Sequence, residues 1–159
     1  PSVADEHGFA LADAPWPHIF DPFRNAVAGK KVAVIGHFPF APKALNQAAD
    51  FYMLERSLNE GDYPDSAAEY ILPECDYVFI TGSAFVNKTA PRLLELSRES
   101  FNVVLGPSTP LAPVLLEDYG VSQVTGMVPS SPLAMFEGLS GTDAGTTMFD
   151  WGHRVELSA

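Results

Sequence analysis

The sequence predicts an α/β fold in three layers, an open and mostly parallel sheet with helices on both faces. Three observations carry that reading. Short apolar runs at Lys31–Ile35, Tyr77–Thr81 and Asn102–Leu105 look like strands buried on both faces. Each run ends in a turn that pairs glycine with His, Ser or Thr. Segments with helical spacing or capping residues separate the runs, and strands that alternate with helices imply parallel β-α units with right-handed crossovers.

Composition limits what such a domain does. A chain of 159 residues, 47% hydrophobic and 18% charged, fits one globular domain with a sizeable core. No apolar segment approaches the ~20 residues of a membrane span and nothing resembles a secretory signal, so we expect a cytoplasmic location and no membrane partner. The chain starts at Pro1 rather than Met, which leads us to expect a fragment or a processed chain. Nine basic against 20 acidic residues give a net charge of −11, which argues against nucleic acid as a partner. The single cysteine, Cys75, excludes an internal disulfide and an all-cysteine metal cage, and is read as an inert structural thiol ahead of a strand.

Taken in order, residues 1–20 have no sustained period and are expected to be an irregular segment, the remnant of a preceding domain, with the α/β domain running over 21–159. Asp21-Pro22 caps a short helix, with Phe23, Ala26 and Val27 on one face and Gly29 closing it. Lys31–Ile35 is the first strand, turning at Gly36. Residues 43–49 read as a modest helix and Phe51–Glu55 as the second strand. Turn chemistry at 61–65 leads into a capping box at Ser66–Glu69 and a short helix before Pro73. Tyr77–Gly82 is a strand followed by a loop over 83–87. A helix capped by Asn87 or Thr89 follows, burying Ala90, Leu93, Leu94 and Ser97. Asn102–Leu105 is the next strand, with Ser108 or Thr109 capping a helix that starts near Pro110 and ends at Gly120. Val121–Val128 is a weaker strand, interrupted by Gly126. Ser131-Pro132 opens a brief helix closed by Gly138, residues 139–147 form a loop, and Arg154–Leu157 is an edge strand.

The candidate site follows from convergence rather than from any one motif. In a parallel sheet the turns Gly36-His37, Thr81-Gly82-Ser83 and Gly106-Pro107-Ser108-Thr109 emerge on one edge, where open α/β sheets bind ligands. We take as candidate ligand-binding residues His37, Phe38, Pro39, Glu55, Thr81, Gly82, Ser83, Asn87, Gly106, Pro107, Ser108 and Thr109. His37 is one of four histidines and stands between glycine and two aromatics; the proline and aromatic bulk around it suit holding the ring in one direction. A pyrophosphate loop is excluded, because neither the spaced glycines of a dinucleotide fingerprint nor a Gly-Lys-Ser/Thr loop is present. Glu55, nineteen residues after Gly36, stands where an acid would meet ribose hydroxyls. For a divalent transition metal, the donors would be His37 and Glu55, from a stock that also holds Asp62, Cys75 and His153; no close-spaced pair marks a cage. Ser83 and Ser108 lack the nucleophile-elbow pattern of a hydrolase.

Several of these residues, in the same order, resemble a known family. Val34-Ile-Gly-His-Phe-Pro39, Leu54-Glu-Arg56, Gly61-Asp-Tyr-Pro64, Asp76 leading into Ile80-Thr-Gly-Ser83 with Val86-Asn87, and Gly106-Pro-Ser-Thr-Pro110 are similar to the heavy-metal chelation domain family, formerly a domain of unknown function. The similarity spans roughly residues 22–138. It implies a Rossmann-like domain that follows a smaller α+β domain like the amino-terminal domain of enolases, with a site where the two meet. Twenty residues ahead of Asp21 are too few for that whole domain, so the site would be completed by a separate N-terminal domain or a partner chain. Three functional expectations result: a small-ligand or metal-binding domain, an enzyme acting on a nucleoside-containing or phosphorylated substrate, and a homo-oligomeric assembly domain.

Overall fold

The computed structural model describes residues 10–140 and 150–158. Its strands are β1 (Ala10–Asp13), β2 (Lys31–Ile35), β3 (Asp50–Glu55), β4 (Tyr63–Pro64), β5 (Tyr77–Thr81), β6 (Phe101–Leu105), β7 (Gln123–Pro129) and β8 (Gly152–Ser158). They form one sheet in the order β1-β8-β7-β6-β5-β2-β3-β4, parallel from β4 to β7, with β8 antiparallel to both its neighbours, β7 and β1.

Alternation along β2 explains the three layers. Val32 and Val34 pack on one face with Phe20, Phe23, Val27, Leu45 and Phe79. Ala33 turns to the other face, with Leu54, Leu72, Val78, Ile80 and Leu93. Both sets are buried, so helical segments must cover both sides, as the unbroken apolar run predicts. Polar ties fix the entry of β2 as well. The Lys31 amide donates to the Asp76 carboxylate at 2.9 Å, joining the start of β2 to the residue before β5.

The five strands expected in the parallel sheet are all present, while Tyr63–Pro64, expected as turn, adds the short strand β4 beside β3; the helices are shorter than expected. Asp21–Phe23 is one 3-10 turn, and Asp21 does not cap it, because its carboxylate accepts the His18 amide at 2.8 Å and Arg24 Nε at 2.7 Å. The helix expected over 43–49 is the single turn Ala41–Ala44. The capping box at Ser66 does not form, since Glu69 turns to Arg92 Nε at 2.9 Å. Residues 83–86, expected as loop, are a helical turn, and Ala90–Leu96 is the expected helix with Ala90, Leu93 and Leu94 buried. The helix expected from Pro110 starts at Val114, because Pro110 and Pro113 lack amide donors and each restrains the residue before it.

Gly126 does not interrupt β7: a Cβ there would lie 2.9 Å from Leu111 Cδ2, so glycine lets the strand pass under that side chain. Gly138 lies inside the helix Pro132–Ser140 instead of closing it. Of the loop expected over 139–147, residues 141–147 fall outside the described residues and 139–140 are helical. The strand expected at the edge, β8, is covered by β1, so residues 10–13 of the expected irregular segment belong to the sheet. Among the described residues no helix is long and apolar enough to cross a membrane.

Candidate functional site

The chain leaves β2 toward β3 on one side and re-enters beside β2 at β5 on the other, so strand order reverses between β2 and β5. The carboxyl ends flanking such a reversal leave a crevice. A cleft of about 620 Å³ opens there, within the size range of small-molecule sites.

Gly36 begins the site. Its φ of +103° favours glycine, and a Cβ would sit 3.1 Å from the Thr81 side chain, so the turn after β2 can press against the end of β5. That turn is then tied across to β3. Glu55 accepts the His37 amide at 2.9 Å with Oε2 and the Arg56 amide at 2.7 Å with Oε1. The His37 ring lines the cleft, 31% exposed at the side chain, with Nδ1 at 3.1 Å from Asp62 Oδ2 and 3.3 Å from Oδ1. The Asp62 side chain is fully covered and also accepts the Asn59 amide at 3.0 Å and Asn59 Nδ2 at 3.2 Å. Burial works against its charge, but the bonds from Asn59 and then His37 outweigh burial and hold the carboxyl below its ordinary 3.8. An ionised carboxylate can only accept, so it assigns the proton of neutral His37 to Nδ1 and leaves Nε2 with its lone pair. Among the described residues Nε2 has no partner.

Six of the expected residues line this cleft: His37, Phe38, Glu55, Thr81, Ser83 and Asn87. Gly106 and Pro107 instead line a second depression of about 310 Å³, walled by His18, Ile19, Phe38, Phe40 and Met127, so Phe38 stands between the two. Gly82 is a close-approach residue, since a Cβ there would lie 2.4 Å from the Thr109 nitrogen. Ser108 meets Ser83 hydroxyl to hydroxyl at 3.4 Å. Thr109 is buried, and its hydroxyl has no partner among the described residues. Pro39 lines neither space. The helix that Ser108 or Thr109 was expected to cap does not begin there, the next helix being the four-residue turn Val114–Glu117.

The donor set fits a bare metal ion poorly. Glu55 faces main-chain amides with both oxygens, and the described residues hold no group of three or more His, Cys, Asp or Glu that could surround an ion. Cys75 lies at the opposite edge, ahead of β5; burial pushes its thiol up to about 11 and Sγ donates to the Ile71 carbonyl at 3.3 Å, which bears out the structural reading. His153 sits on β8 with Nε2 at 3.5 Å from Asp13. What the residues present offer a metal is one oriented imidazole.

The sequence reading missed Arg56, Lys88 and Arg92 as lining residues and did not join Asp62 to His37. Arg56 was in view beside Glu55; Lys88 and Arg92 carried no signal beyond their charge. Together with Glu55, Asp65 and Glu69 they give the cleft three cations and three carboxylates, a local balance on a chain of net charge −11.

Comparison with known proteins supports the fold and then the family. A crystal structure of a DUF364-family protein of unknown function from Desulfitobacterium hafniense DCB-2 superposes with a TM-score of 0.82 at 42% identity, over 100% of this chain and 62% of that one. A second, from Pyrococcus horikoshii, gives a TM-score of 0.76 at 22% identity over 92% of this chain and 60% of that one, a likeness of fold alone. The uncharacterized protein MJ0500 of Methanocaldococcus jannaschii is 29% identical over 101 residues, 60% of this chain and 39% of the relative. The chain thus spans less than two thirds of each of these proteins. The family model described as "Putative heavy-metal chelation" matches residues 18–155, and the chain belongs to that family, DUF364.

Proposed function

We propose that this domain binds a small ligand in the cleft at the ends of β2, β3 and β5, and that it holds a transition metal there through His37 Nε2. The observation that carries the reading is the fully covered Asp62 carboxylate on Nδ1. Metal-binding histidines are oriented in this way, with the second ring nitrogen donating to a carboxylate that fixes the tautomer and raises ligand basicity. The family description points the same way. Because the described residues supply one imidazole and no cage, the remaining ligands come from a small organic molecule carried with the ion, or from a partner chain or preceding domain. A cleft of about 620 Å³ is far larger than a bare ion requires and suits the first source.

The nucleoside reading has less support, because Glu55, placed to meet a ribose, is engaged with the His37 amide of the β2 turn and the Arg56 amide after β3. Calorimetric titration with Ni(II), Co(II), Zn(II) and Cu(II) tests the proposal. Wild type should bind at least one of them with a stoichiometry near one, and His37→Ala should lose that binding. Failure of all four ions on the wild type, or unchanged binding by His37→Ala, contradicts it.

A further inference from the structure

Lys88 occupies a position at which helices ordinarily place glycine. The turn Ser83–Val86 ends with Lys88 in the left-handed region at φ +67°. The Thr89 amide donates to the Ala84 carbonyl at 2.9 Å, the bond of a helix-ending motif whose left-handed residue is usually Gly and sometimes Asn. Asn87 Oδ1 locks the same corner, accepting the Thr89 amide at 3.1 Å and the Thr89 hydroxyl at 2.7 Å. A lysine here costs conformational energy that glycine would not.

The side chain carried at that cost lines the cleft. Two of the three cations there are already engaged: Arg56 faces Asp65 at 3.5 Å, and Arg92 is held by Glu69 and Glu95. Lys88 alone of the three has no carboxylate partner among the described residues. On a chain of net charge −11 an approaching anion is repelled by the overall field, so its capture depends on a local unpaired cation.

We infer that Lys88 is the anion-recognising residue of the cleft, its ammonium pairing with a carboxylate or phosphate group of the small ligand whose other end reaches His37. The inference rests on the cleft being the binding site, and it stands whether or not a metal is part of the ligand. A compact ammonium on a flexible stem suits either anion, whereas the two guanidiniums are committed to protein carboxylates.

The position provides its own control, because Lys88→Gly suits the backbone better while removing the charge. Calorimetry with citrate, inorganic phosphate and pyrophosphate at low salt, and with nickel chloride as a separate arm, is run on wild type, Lys88→Gly and Lys88→Arg. At least one anion should bind wild type and Lys88→Arg, and bind Lys88→Gly about tenfold or more weakly. The thermal midpoint of Lys88→Gly should equal or exceed that of the wild type, and its nickel affinity should not fall, since losing a cation from the cleft only lessens repulsion of a metal ion. Preference for citrate assigns a carboxylate ligand; preference for the phosphates assigns a phosphate ester. Lys88-dependent anion binding by a wild type that binds none of nickel, cobalt, zinc and copper upholds this inference while removing the metal reading. No binding of any of the three anions by the wild type, equal binding by Lys88→Gly, or a midpoint lowered by several degrees in Lys88→Gly overturns it.

Discussion

The two depressions flanking Phe38 are built in opposite ways. In the larger one, polar side chains tie separate elements together: Glu55 takes the His37 amide of the β2 turn, Asp62 takes the His37 ring, and Arg92 on one helix takes Glu69 on another. In the smaller one the floor is aromatic packing. Phe20 is fully buried, with ring centroids 5.6 Å from Phe38, 5.8 Å from Phe40 and 5.3 Å from Phe79. A polar, cross-tied wall can orient a ligand's charged groups, whereas an apolar wall chiefly supports the fold. The same sheet edge therefore carries the candidate site on one side and part of the core on the other.

Mutations should separate these two roles. Phe20→Ala removes the ring that underlies the apolar side and should cost about 3–5 kcal/mol in urea unfolding. A loss under about 1 kcal/mol would show that the aromatic cluster is not structural. Gly82→Ala strikes the contact between the two halves, where the new Cβ would meet backbone atoms of Ser108 and Thr109 at 2.4–2.7 Å. Since backbone cannot rotate away, it should destabilise by about 3 kcal/mol in the same assay.

Asp62→Asn tests the polar side. It should lower metal affinity roughly 10–100-fold by releasing the ring of His37. It should also change the acid limb of stability. The folded Asp62 carboxyl is held below 3.8, so its stabilisation is complete above that value and is lost as the pH falls through the lower folded one. The Asn variant should lack that part of the acid loss in a thermal melt series. The smallest effect concerns Cys75. With its thiol pushed up to about 11, the native protein should resist alkylation at pH 8 and react only on unfolding; rapid native labelling would contradict its burial.

Most of the sheet was legible in the sequence because an unbroken apolar run between charged and glycine residues has few other solutions. Val32–Val34 and Val103–Leu105 are fully buried, and β3 begins one residue from its expected start. Helix extents were not legible, because caps and proline describe what can begin a helix and not how far it continues; Asp21 and Glu69 used their carboxylates elsewhere. The strand-end glycines and His37 could be placed on the correct edge from topology. The Asp62–His37 pair could not, since it joins residues 25 apart through a turn whose path only the fold fixes. Nor could sequence divide the edge into two depressions, because that depends on Phe38 turning its ring between them.

The proposed binding mode requires His37 to offer Nε2 to the cleft while Asp62 holds Nδ1–H. Long-range 1H–15N NMR of histidine-labelled protein during a zinc titration reads both nitrogens directly, with His7, His18 and His153 as internal references. The free protein should show His37 as the Nδ1–H tautomer, and zinc should move its Nε2 resonance while Nδ1 stays protonated. An Nε2–H tautomer in the free protein, or a His37 ring left unchanged by zinc although calorimetry shows zinc to bind, would contradict this binding mode.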